Sequence, residues 1–170
     1  MWSRRILVAS LGVLAGLFDA AASSWFPGSW IAVRVALPLV IILAAFSSPE
    51  RALTAAIAAG LVLDVFLPSF GFVTLRLAAV AFVIRALAQR FFTNRSLPGS
   101  FALGLAGLVL DRAFLAAGTF LAGAWSGSVL IAEVRAGWVA EALWMTVAMG
   151  AAFVAVAALT RRFLPPVTRR

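Results

Sequence analysis

Between Ile6 and Leu159 the chain is apolar almost throughout, broken only by short polar or Pro/Gly-containing segments. This pattern limits the fold more than any other feature. Hydrophobic residues make up 64% of the 170 positions and mean hydropathy is +1.09, whereas soluble domains run at about 45–50% apolar. Such a chain has too little polar surface to coat a water-soluble globule, and its natural solvent is lipid. Lipid offers no partner for backbone N–H and C=O groups, so a spanning segment must satisfy its own, as a helix does. The expected fold is an all-α integral membrane protein.

Six apolar stretches emerge, over about 6–24, 30–46, 52–67, 71–88, 98–123 and 138–159, within one transmembrane domain covering 1–170. Pro38 is expected to kink the second helix. Ser48 is placed to cap the third, with Pro49 at its first position. That third stretch reaches only about 24 Å, against a hydrocarbon core of roughly 30 Å. A cleaved leader would also begin with Arg4-Arg5 and an apolar run. Asp19 within the run, and the further hydrophobic spans, favour a retained first helix instead.

Charge is sparse and one-sided. There are 14 basic residues, all Arg, and six acidic ones. With a cytoplasmic N-terminus, nine arginines fall at inner ends: Arg4, Arg5, Arg51, Arg90, Arg95, Arg161, Arg162, Arg169 and Arg170. The outer segments carry only Arg135. This asymmetry predicts both termini on the cytoplasmic side of the membrane. It also makes the lipid bilayer, rather than nucleic acid, the explanation of the basic balance. Trp25, Trp30, Trp125 and Trp138 fall at the predicted outer ends, as an aromatic belt would.

Cys, His, Tyr and Lys are absent. Ser–His and Cys–His nucleophiles and the usual zinc sites are therefore excluded. No Walker-type phosphate loop occurs, and the aspartates lack the surroundings wanted for an intramembrane aspartyl protease. The expectation is a protein that is not an enzyme and uses no cofactor or metal.

An internal repeat is visible. Gly60-Leu61-Val62-Leu63-Asp64 recurs as Gly107-Leu108-Val109-Leu110-Asp111, with a shorter form at Gly16-Leu17-Phe18-Asp19. The aspartates are 45 and 47 residues apart, about one helical hairpin plus loops. All three lie on odd-numbered helices. The spacing suggests a six-helix bundle of three related hairpins. Gly12 and Gly16 also form a small-residue spacing suited to close helix packing.

Seven charged residues fall inside the predicted spans: Asp19, Arg34, Asp64, Arg76, Asp111, Arg112 and Glu141. Arg85 lies near enough to an inner end to snorkel. At about 2.5–3.5 kcal/mol each at full depth, seven unpaired charges would cost on the order of 20 kcal/mol. They must pair, reach water or face a partner. The hairpins offer Asp19 with Arg34, Asp64 with Arg76, and Asp111 with Arg112 and Glu141. Two readings follow: an ionic network that locks helix register, or a site for a polar ligand or ion.

The middle of the chain resembles the rod-shape-determining protein MreD family, as a distant relative. The resemblance is carried by Gly60 to Asp64, then Pro68-Ser69-Phe70-Gly71, then Leu75-Arg76-Leu77. It continues through the basic loop from Arg90 to Arg95, Leu108 to Asp111, and a last helix with Trp144. It spans roughly Val35 to Phe163. Gly60, Pro68 and Gly71 are the family-like packing and turn positions. Phe66-Leu67-Pro68 departs from the serine-glycine-rich turn usual after the aspartate. The resemblance implies a non-enzymatic scaffold of the cell-elongation machinery. Its implied partners are an MreC-like single-span protein, peptidoglycan synthases and the actin-like filament. It also implies a fold like the substrate-binding subunits of vitamin transporters, so a small-molecule transport subunit is the alternative. The first helix lacks the Ala-xxx-Ala pattern with which such subunits dock their coupling partner.

Overall fold

The computed structural model describes residues 2–25, 34–66, 72–91, 97–121, 139–155 and 158. Six helices occur among the described residues: α1 (Trp2–Trp25), α2 (Ala36–Phe46), α3 (Pro49–Phe66), α4 (Phe72–Phe91), α5 (Leu97–Leu121) and α6 (Val139–Ala155). No strand occurs among the described residues. Three segments are long and apolar enough to cross a membrane: Arg5–Ala22, Phe72–Arg90 and Pro98–Gly118. The α2 and α6 helices are apolar but shorter. In α3 the 18 residues include Glu50, Arg51 and Asp64.

The closest packing joins α1 to α3, and small residues are the reason. A methyl group on Gly12 would lie 2.7 Å from the Ala55 carbonyl oxygen, and one on Gly16 would lie 2.8 Å from that of Ala59. Opposite them, Ala52, Ala55, Ala56 and Ala59 are fully buried. Backbones meeting without intervening side chains gain dispersion contacts over their whole length, which suits helices that water does not push together.

At the centre of the bundle is α2, packed by α1, α3, α4 and α5. Its sequence is hydrophobic on every side, as an interior helix requires, and Val40, Ile41 and Ala44 have no exposed surface. Pro38 lies in the first turn of α2. Because Arg34 and Val35 are not helical, the helix starts at Ala36 and Pro38 becomes its third residue. There the missing N–H removes no intrahelical bond. The α3 helix starts at Pro49, and the Ser48 carbonyl accepts hydrogen bonds from the Arg51 and Ala52 amides.

Around α2 the core continues through Leu63, Val80, Ile84, Leu103, Leu108, Met145 and Met149. The outside is apolar as well, with Val65 80% exposed and Phe82 70% exposed. An apolar exterior fits a membrane protein.

Candidate functional site

Asp19, Asp64, Asp111 and Glu141 lie toward one end of the bundle, where α1 and α3 finish and α2, α4 and α6 begin. Asp19 is in the penultimate turn of α1. Its Oδ1 accepts the Val35 amide at 2.5 Å and its Oδ2 accepts the Ala36 amide at 3.0 Å. Asp64, in the last turn of α3, accepts the Val73 and Thr74 amides at 3.0 Å each and the Thr74 hydroxyl at 2.6 Å. Each carboxylate thus caps the helix that follows its own. The first N–H groups of a helix have no intrahelical partner, and their end of the macrodipole is positive, so an anion there is doubly favoured.

The α2 helix is capped at its other end too. Arg85 of α4 donates to the carbonyls of Ser47 at 2.9 Å and Ala44 at 3.3 Å. Sequence reasoning gave Arg85 only a snorkelling role. In the structure it closes the C-terminal end of the central helix, where a cation suits the dipole.

Asp111 departs from the pattern of the other two aspartates. It is 1% exposed, and its Oδ1 lies 2.8 Å from Arg76 Nε while its Oδ2 lies 3.5 Å from Arg34 Nη1. Glu141, in the first turn of α6, pairs with Arg112 and sits 3.7 Å from Arg34 Nε. Arg34 therefore bridges two acids. Its own carbonyl accepts the indole N–H of Trp144 at 3.0 Å. The cluster joins the turn before α2 with α4, α5 and α6.

Arg112 and Glu141 pair within the third hairpin, as the sequence suggested, whereas Arg34 and Arg76 pair across hairpins. Arg34 and Arg76 both turn to Asp111 because α5 packs beside α2 and α4. Asp19 takes backbone amides of its own hairpin instead of the Arg34 guanidinium. Gly60 serves packing: a methyl group there would fall on the backbone of Thr74. Pro68 and Gly71 lie outside the described residues, as do Trp30, Trp125, Trp138 and the side chain of Trp25. Thr74 and Trp144 gained no site role from the sequence. A Thr in the first turn of a helix was the available signal for Thr74, since hydroxyl side chains favour that position. Trp144 gave none, because its partner is a carbonyl 110 positions away.

Three guanidiniums and two carboxylates meet here, and hydrogen bonding does not saturate them. Arg76 Nε and Asp111 Oδ1 are close, but the N–H is out of line with the oxygen. Those two atoms, with Arg112 Nε and Glu141 Oε1, are buried without a hydrogen-bond partner among the described residues. Among the described residues, no group of three His, Cys, Asp or Glu side chains could hold a metal. Chemically, the cluster can fix helix positions or receive a polar group. No family model, curated protein or solved structure matches the chain.

Proposed function

We propose that the chain is a non-enzymatic scaffold of the cell-elongation machinery in the bacterial cytoplasmic membrane. In this reading all six helices are spans, the arginine-rich end faces the cytoplasm, and partners are bound through helix faces. The resemblance centred on Asp64 to Arg76 supplies the family. One structural observation supports the role: the charges of Arg34, Arg76, Asp111, Arg112 and Glu141 are directed at one another. Buried ion pairs contribute little net stability but penalise every arrangement that separates them. A bundle locked in this way presents constant outer faces. Leu75 and Phe82 on α4, and Val139, Leu143 and Val147 on α6, form exposed apolar ridges at helical spacing. Such ridges suit spans of an MreC-like protein or of a peptidoglycan synthase.

A second reading, a solute-binding transport subunit, is favoured by the four buried polar atoms without hydrogen bonds. One experiment separates the two. The tagged protein is purified from its native membrane in mild detergent, and co-purifying proteins are identified. Recovery of a coiled-coil single-span protein and cell-wall synthases is expected. Recovery of an ATPase pair, with no cell-wall protein, overturns the scaffold in favour of transport.

A further inference from the structure

A cavity of about 340 Å³ lies where α1 and α3 begin, at the end opposite Asp19, Asp64 and Glu141, lined by Ser3, Leu7, Val8 and Arg51. Its volume is at the lower end of small-molecule sites, roughly 300–1,000 Å³. The chemistry of the lining is divided. Arg51 supplies a fixed positive charge and Ser3 a hydroxyl donor. Leu7 and Val8 form an apolar wall, with Leu7 open to the surroundings and Val8 buried against the bundle. Nearby Arg5 is neutralised by Glu50 at 2.6 Å, whereas Arg51 has no ion-pair partner among the described residues. Both helices start here, so two positive dipole ends add to the Arg51 charge.

A cation and a hydroxyl beside an apolar wall complement an amphiphile with an anionic head. We propose that this recess binds one anionic phospholipid, its phosphodiester at Arg51 and Ser3 and an acyl chain along Leu7. The site is independent of the scaffold reading, because it uses none of the charges at the other end. A basic pocket between helices at a membrane surface is a physically apt place for such a headgroup.

Native mass spectrometry of the full chain in mild detergent tests this. The probes are dioleoylphosphatidylglycerol, dioleoylphosphatidylcholine and inorganic phosphate. The variants are Arg51→Gln, Arg51→Lys and, as a cation outside the cavity lining, Arg90→Gln. The wild type is expected to retain one phosphatidylglycerol in preference to phosphatidylcholine. Arg51→Gln lowers that retention about fivefold, the effect of roughly 1 kcal/mol per surface cation, while Arg51→Lys and Arg90→Gln retain it. Equal loss in Arg51→Gln and Arg90→Gln would show diffuse attraction and overturn the site. Equal retention of the two lipids, or binding of phosphate without the lipid, would overturn it as well. If Arg51→Gln does not fold, the lipid comparison on wild type and Arg51→Lys still decides.

Discussion

Asp19 and Asp64 perform the same structural task in successive hairpins: each carboxylate accepts two consecutive backbone amides at the start of the next helix. Asp111, at the matching position of the third repeat, faces Arg76 and Arg34 instead. A repeated aspartate thus serves two kinds of partner, and the difference can be measured.

Removing the charge of Asp111 strands two guanidiniums. Asp111→Asn is expected to cost about 3–5 kcal/mol, the usual penalty for breaking a buried pair from one side. Replacing the closer pair, as Arg76→Met with Asp111→Leu, removes the buried guanidinium as well, leaves Arg34 with Glu141, and recovers most of that loss. Reversible unfolding in mild detergent checks both; a double variant no more stable than Asp111→Asn would contradict the prediction.

Removing a cap acts locally. Asp19→Ala is expected to cost about 1–2 kcal/mol and to speed hydrogen exchange at the Val35 and Ala36 amides. Exchange at Val73 and Thr74 stays at the wild-type rate. Asp64→Ala gives the converse pattern. Thr74→Val, which loses one hydroxyl donor, costs about 0.5–1.5 kcal/mol.

Two glycines separate close approach from ordinary contact. Gly60→Ala drives a methyl group into the Thr74 backbone and is expected to cost about 1–3 kcal/mol by overpacking. At Gly150 the nearest obstacle is the Phe101 ring at 3.4 Å. There Gly150→Ala is neutral, or stabilises by about 0.5–1 kcal/mol through the lower backbone entropy of the unfolded chain. Unfolding temperatures of the two variants, measured side by side, test the contrast.

The absence of cysteine makes topology easy to probe. Thr93→Cys and Ser128→Cys each place a single thiol in the chain, in segments on opposite sides of the proposed six-span topology. A membrane-impermeant maleimide applied to intact spheroplasts is expected to label position 128 and spare position 93. Labelling of both, or the reverse, contradicts the orientation derived from the arginines.

The helices were legible because apolar runs and their interruptions are local properties. The expected 52–67 and 71–88 became α3 at Pro49–Phe66 and α4 at Phe72–Phe91. The start of α2 at Ala36 was not legible, because the hydrophobic run continues upstream and only the carboxylate of Asp19, from another helix, marks the beginning. The charged residues could be named from their depth in apolar sequence. Of their partners, Arg112 with Glu141 was legible within the third hairpin; those of Arg34 and Arg76 were not, because they depend on which helices become neighbours. Assigning Arg76 to Asp64 followed chain proximity, whereas the structure carries it to Asp111 on α5. The Gly12 and Gly16 spacing foretold a close helix contact but left its surface open, and that surface is the alanine face of α3.

Arg34 and Asp111 are 77 residues apart, and this distance constrains biogenesis. At about 5–20 residues per second, synthesis leaves roughly 4–15 seconds between the two. During that interval the guanidinium has no carboxylate from α5 to meet, so a half-made chain must keep it in water or among lipid phosphates. Full seating of the early helices therefore waits for the late ones, and a ribosome stalled before α5 would leave a product whose first hairpin has not settled.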